Sequence, residues 1–317
     1  MRTGATQAHQ GYFHEALYYS SDEELLAVLV PFLTAGAAAG EPTLVALGER
    51  NADLVRSALP PGTAVEFATG GDMYARPAAA IHSYRGLLAD HVAAGAGQIR
   101  IIGELPASAF GPTWDSWMRY ESAINHAYDD FPLWSMCAYD RRTTPAAMLA
   151  DVDRTHPRQA RPDGTHPAIE TYADPESYLA GTRPVPPDPL QLTPPAAELA
   201  DPLPVRAREA VRAAGHEGIS RDEVEDLVVA VSEVVTNAML HGRAPIRMRV
   251  WPGPDRVVVE VTDAGPGPEN PYAGLLPIGS GGPGGRGLWI VNQSCNHVTM
   301  ARGPDGFTLR LTDGVPH

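Results

Sequence analysis

The sequence contains no lysine. All 24 of its basic residues are arginine, set against 38 acidic residues, for a formal charge of −14. Without lysine there is no Schiff-base chemistry, no kinase-type strand lysine and no Walker A phosphate loop, whose lysine reaches the β/γ-phosphates. The acidic balance argues against electrostatic capture of DNA or RNA, which takes concentrated positive charge. Cysteine is scarce. Cys137 and Cys295 stand far apart, which gives neither a disulfide framework nor a zinc site and fits a reducing cytosol. Long hydrophobic runs are also missing. The longest, residues 25–39, is broken by Pro31, Thr34 and Gly36, short of the ~20 apolar residues of a membrane span. The opening MRTGATQAHQG has no apolar h-region, so no signal peptide is expected and the cytoplasm is the expected location.

What is present is enough for a core. The chain has 317 residues and is 44% hydrophobic, which predicts about two domains. Proline divides them: residues 157–204 hold 12 of the 31 prolines. Proline lacks a backbone donor and holds φ, so residues 156–196 read as an extended, semi-rigid linker. It separates a domain over 9–155 from one over 197–313.

Before the linker, periodicity predicts helices over 22–35, 51–59, 78–94 and 113–128. Short apolar runs predict strands over 43–47, 64–68, 98–105 and 133–139. Strands separated by helices read as a three-layered α/β domain with a largely parallel sheet. After the linker the order changes. Helices over 205–214 and 221–241 precede strand-like runs over 246–251 and 256–263. A Gly/Pro stretch over 264–285 then leads to a helix over 286–294 and a hairpin over 297–301 and 307–311. That order reads as an α+β sandwich.

The most informative segment is SEVVTNAMLHG. Val231, Val234, Val235 and Ala238 make its apolar face, while Glu233, Asn237 and His241, four apart, make one polar stripe. Such a stripe is ordinarily a solvated face, and its sequel is what changes the reading. About twenty residues on, a strand ends in VTDAGPGP, with Asp263 placed to accept from an exocyclic amine and Gly265 and Gly267 letting backbone approach a ligand. SGGPGGRGLWIV then runs glycines straight into a helix N-terminus, whose free N–H groups suit phosphate oxygens.

In this order and spacing, residues 197–313 resemble the GHKL (Bergerat-fold) ATPases, specifically the RsbW-like anti-sigma serine kinases of actinobacteria. EVVTNAMLHG corresponds to that family's N box, DAGPG to its G1 box and GGRGL to its G2 box. The resemblance implies ATP bound under a mobile lid over 264–285. It implies Mg2+ held by Asn237, Glu233 as general base and Asp263 on the adenine amino group. Gly265 and Gly267 would shape the adenine pocket, and Gly285, Arg286, Gly287 and Leu288 would close on the phosphates. His241 falls at the family's histidine position, with a structural role as open as a ligand role. Pro266, Pro268 and the proline-rich lid depart from the pattern. The implied activity is phosphoryl transfer from ATP to a serine of an anti-anti-sigma (STAS) partner, sequestration of a sigma factor, or both, by a homodimer that touches neither nucleic acid nor membrane. The alternative of another class is a non-catalytic ATP-binding interaction switch. A sensor histidine kinase is disfavoured, because His156, His166 and His216 lie outside an H-[ED]-x-x-[NR]-x-P setting.

In the first half, FHEALYYSSDEELLAVLVPFLTAGAAAGEPTLVAL followed by WSMCAYD resembles the MEDS sensory domain, a degenerate relative of the RecA/KaiC fold. In a working relative the strand over 43–47 would lead into a phosphate loop; here it leads into GERNADLVRS. The 98–104 segment takes the place of a Walker B strand, with Glu104 near its end. The implied role is sensing, with His14, Tyr18, Glu104, Cys137 and Tyr139 as candidate contacts for a small-molecule signal. Bland readings stand beside these. His14 and Tyr18, four apart, fit the staple of a helix, and Cys137 fits a small buried side chain. Trp114, Trp117 and Tyr120 at helical spacing fit a core or an interface.

Overall fold

In a computed structural model that describes residues 11–68, 76–181, 185–214, 218–277 and 286–316, the chain divides into two units, one built mainly from residues up to 179 and one mainly from 180 onward. No helix among the described residues is long and apolar enough to cross a membrane.

The first unit contains, in order, β1 (Phe13–Tyr19), α1 (Asp22–Ala38), β2 (Thr43–Ala46), α2 (Glu49–Ala58), β3 (Glu66–Phe67), α3 (Pro77–Ala93), β4 (Ile99–Gly103), α4 (Trp114–Ala127), β5 (Leu133–Asp140), α5 (Ala146–Thr155), β6 (Arg158–Ala160) and α6 (Pro175–Ala180). The six strands form one sheet in the order β3-β2-β4-β5-β1-β6, and every neighbouring pair is parallel. This is the parallel α/β domain expected. Parallel strands need helical crossovers, which cover both faces. Phe13, Leu17, Val45, Ile102, Trp134 and Met136 pack with the Leu25, Leu29 and Leu33 face of α1 on one side. On the other side α4 meets His14, Cys137 and Tyr139 through Glu121 and Asn125, and α5 meets Tyr18 through Asp153. Ser21 caps α1 by accepting from the Glu24 N–H, with Asp22, Glu23 and Glu24 in its first turn.

Two strands depart from the sequence reading. His14 and Tyr18 lie on β1, not on a helix. All seven residues of β1 lie in the middle of a sheet covered on both faces, so the run shows no alternation, and periodicity cannot tell it from a buried helix. The i, i+4 pair still shares a face, because strand residues two and four apart point the same way. β6 lies inside the stretch read as a linker and pairs with β1.

The second unit contains β7 (Ala197–Ala200), α7 (Pro204–Ala213), α8 (Arg221–His241), β8 (Arg247–Pro252), β9 (Arg256–Asp263), α9 (Gly287–Ser294), β10 (His297–Gly303) and β11 (Gly306–Gly314). Its five strands run β10-β11-β9-β8-β7, antiparallel throughout. Met248, Val250, Val257, Val259, Val261, Leu309 and Leu311 face the apolar sides of α7, α8 and α9. The result is a two-layer sandwich, the α+β class expected. Ser220 opens α8 with a reciprocal capping box to Glu223.

The proline-rich stretch is tied to this unit at its far end. Asp188 takes the Arg256 guanidinium in two bonds, at 3.1 and 2.8 Å. The Gln191 amide donates to Glu260, and Trp251 Nε1 donates to the Thr193 carbonyl. Proline removes backbone donors, and side chains supply the anchors instead.

Candidate functional site

Helix α8 carries Glu233 and Asn237 one turn apart and half-buried. Neither side chain has a hydrogen-bond partner among the described residues. The N-terminus of α9 lies directly over them. A Cβ on Gly287 would stand 2.8 Å from Glu233 Oε2 and 3.2 Å from Asn237 Nδ2, so the approach needs glycine at that position. Arg286 is the exposed N-cap of α9, and Leu288 packs half-buried on the core.

Asp263 ends β9. Its Oδ1 accepts from the Gly265 N–H at 2.6 Å and the Arg243 N–H at 3.1 Å, and among the described residues no hydrogen bond engages Oδ2. Gly265 is required by proximity, since a Cβ there would meet Asp263 Oδ1 at 2.6 Å. Gly267 has φ +75°, and its Cβ would strike the Phe307 ring at 2.4 Å. The Glu233, Asn237 and Gly287 contacts thus draw two of the three boxes together, with Asp263 and its glycines forming the third. His241 is exposed at the end of α8. Gly285, expected on the phosphates, lies outside the described residues.

Part of the expected lid is folded. Tyr272, Ala273 and Leu275 are buried, and Gly274, at φ +84°, sits so close to the Asn292 amide that a Cβ would stand 2.6 Å away. Apolar side chains inside a Gly/Pro-rich stretch pin its first half. Residues 278–285 lie outside the described residues.

The sensory candidates of the first unit separate into three places. Glu104 lies in a cleft of about 1290 Å3 at the carboxyl ends of β1, β2, β4 and β5. Between β2 and β4 the chain leaves in opposite directions, to β3 on one side and β5 on the other. Open α/β sheets bind ligands at such a switch point. Here Glu104 is engaged by the chain itself: the Gly48 N–H donates at 3.0 Å, and the Asn51 amide donates at 3.0 and 3.1 Å. Arg142 bridges Asp140 and Asp22 at the rim and holds the Asp140 carboxyl below its ordinary range, while Arg50 foremost, with Arg142, holds Asp22 down.

His14, Cys137 and Tyr139 lie instead on the sheet face under α4 and α5. They meet Glu121 and His156, two residues absent from the sequence-based site. Glu121 Oε2 stands 3.5 Å from His14 Nε2, from His156 Nε2 and from Cys137 Sγ. The Tyr139 hydroxyl donates to Glu121 Oε1 at 3.2 Å. Burial lowers His14 to about 4 and His156 to about 3, raises the Glu121 carboxyl, and pushes the Cys137 thiol and Tyr139 phenol well up. Both imidazoles are therefore neutral at neutral pH. Tyr18 stands apart, donating to Asp153 at 2.6 Å. Trp114, Trp117 and Tyr120 are buried, as their spacing implied. That aromatic spacing marked α4 as core and hid the Glu121 carboxylate facing the same core. His156 was read only against a phosphoacceptor pattern.

One two-layer sandwich thus carries a Glu/Asn helix, an Asp at a strand end and a glycine-led helix. Residues 197–312 match the family model of the histidine kinase-like ATPase domain. Residues 13–157 match that of MEDS, the methanogen/methylotroph, DcmR sensory domain. The chain therefore carries a MEDS domain followed by a histidine kinase-like ATPase domain. Among curated proteins, none matches. Of the solved structures it resembles, one holds the RsbU and RsbW domains of Rv1364c from Mycobacterium tuberculosis. That match has 22% identity and a TM-score of 0.27, and covers 39% of this chain and 33% of that one. A second is the histidine kinase domain of a blue-light activated histidine kinase from Erythrobacter litoralis (21% identity, TM-score 0.26, 36% and 61% covered). A third is the histidine kinase domain of the E. coli osmosensor EnvZ (18%, 0.25, 39% and 92%). The chain spans about a third of the length of the first of these.

Proposed function

We propose that this protein is an anti-sigma regulatory kinase. Its second unit binds Mg-ATP and transfers the γ-phosphoryl group to a serine or threonine of a STAS-domain partner, sequesters a sigma factor, or does both, under control of the first unit. The observation that carries the reading is the pair Glu233 and Asn237, without hydrogen-bond partners among the described residues, facing the glycine-led N-terminus of α9. An amide oxygen beside a carboxylate suits a hard cation with oxygen ligands. Asn237 would hold Mg2+, which when bound supplies charge neutralisation at the phosphates. Asp263 Oδ2 would accept from the adenine amine. The N–H groups of α9 and the Arg286 guanidinium would face the phosphate oxygens. Glu233 would take the proton of the partner's hydroxyl as its oxygen bonds to the γ-phosphorus and ADP departs.

Labelled ATP incubated with STAS-domain proteins tests this. Label on a serine or threonine supports the kinase, and ATP bound without transfer supports the interaction switch instead. Asn237→Ala is expected to lose saturable Mg-ATP binding in calorimetry, whereas Glu233→Gln is expected to bind and lose transfer. An Asn237→Ala protein that binds Mg-ATP like wild type rules the site out.

A further inference from the structure

We propose that the first unit binds one divalent transition-metal ion, with Zn2+ the best match, in the buried centre formed by His14 Nε2, Glu121, Cys137 Sγ and His156 Nε2. The donors come from β1, α4, β5 and the residue after α5, and their ligating atoms all lie within 4.8 Å of one another. His14 Nε2 is 3.4 Å from Cys137 Sγ, and Glu121 Oε2 is 3.5 Å from each of the other three. Ligands at ~2.0–2.3 Å from a tetrahedral ion stand roughly 3.3–3.8 Å from one another. Four of the six donor pairs already have that spacing, and the remaining two lie within 4.8 Å.

Hydrogen-bond accounting points the same way. Asn125 Nδ2 donates to the carbonyls of Glu121, Ser122 and Thr155, so its Oδ1 is the acceptor for the His14 Nδ1–H at 3.0 Å. The His156 Nδ1–H donates to the Val152 carbonyl at 2.9 Å. Both imidazoles thus spend their hydrogens outward and turn Nε2 lone pairs inward, the arrangement by which outer-shell carbonyls orient metal-ligating histidines. His156 Nε2 is buried without a hydrogen-bond partner. Two lone-pair nitrogens and a carboxylate oxygen converge where, among the described residues, the Cys137 thiol is the one side-chain donor directed at the centre, at a long 3.4 Å from His14 Nε2 and 3.5 Å from Glu121 Oε2. Tyr139 donates to the outer oxygen of Glu121. A cation satisfies this surplus of acceptors, and a divalent ion with one thiolate and one carboxylate is neutral overall, as a buried site requires. Two nitrogens, one sulfur and one oxygen select zinc-like ions over Mg2+ or Ca2+, which take oxygen ligands.

The test uses the full chain, stripped by a chelator and titrated with Co2+ without nucleotide. One equivalent is expected to raise tetrahedral visible bands and a near-ultraviolet thiolate-to-cobalt band, and Zn2+ to bleach both. Cys295→Ser is expected to keep the thiolate band, which leaves Cys137 as its source whether or not Cys137→Ser folds. Where Cys137→Ser does fold, the band is lost. A wild-type chain that shows no thiolate–cobalt band, or one that loses it in Cys295→Ser, overturns the assignment.

Discussion

The two units differ in where they leave polar groups open. In the first, a parallel sheet covered on both faces seals its polar side chains inside. Arg100 is 1% exposed, pairs with Glu41 Oε2 at 2.6 Å, donates to the Phe32 carbonyl and lies over the Trp134 ring. Glu15, fully buried, accepts from Trp134 Nε1 and pairs with His166. In the second, the helices cover one sheet face, and Glu233 and Asn237 remain half-buried with no hydrogen-bond partner among the described residues. Sealed polar groups are held by the protein's own partners, so they serve stability or a captive ion. Polar groups left unsatisfied at a helix junction serve a ligand that comes and goes.

This contrast is most easily broken at Arg100. Arg100→Ala strips Glu41 of its partner inside the fold and is expected to cost on the order of 3–5 kcal/mol, read by denaturant unfolding of the full chain. A loss near that of a surface substitution would mean the ion pair is not sealed. Gly267→Ala should cost roughly 1–3 kcal/mol in the second unit, because it meets both a positive φ and the Phe307 ring; it should weaken ATP binding along with stability. A smaller effect is expected from pH at Asp313, the sealed acid of the second unit. Burial raises it from its ordinary 3.8 to about 7. Oδ1 accepts from the Asn296 N–H, and Oδ2 has no hydrogen-bond partner. A folded pKa above the unfolded one stabilises fully below about pH 4, and that stability drains as pH rises through about 7. Unfolding midpoints at pH 5 and pH 8 should therefore fall with pH in wild type and fall less in Asp313→Asn. Smallest of all is the stability effect of Asn237→Ala, expected within about 0.5 kcal/mol even as Mg-ATP binding goes. A large loss of stability there would make Asn237 a structural residue and erase the contrast.

Much of this was legible in the sequence because it is local. The helix over 221–241 is written in a Ser220–Glu223 capping box and an unbroken apolar stripe. Gly267 and Gly287 occupy positions where a side chain would collide, and such constraints leave glycines in the sequence. β1 was missed because a strand buried on both faces loses its two-residue alternation. β6 and β7 were missed because three- and four-residue strands at the margins of a proline-rich stretch carry no periodic signal. The scarcity of cysteine counted against a zinc site, yet a mixed donor set needs only one.

Sequence alone determined the order of the helices and of the strands other than β1, β6 and β7, the absence of lysine-based phosphate binding and the three boxes of the ATPase-like unit, since each depends on residues within a few positions of one another. Tertiary structure decided which distant residues share a centre. His14 and Cys137 come together through the parallel register that pairs Ala16 with Cys137, and Glu121 arrives from α4 and His156 from the residue after α5 on the same face. Those contacts span up to 142 positions, His14 to His156, and follow from packing geometry that no local pattern encodes.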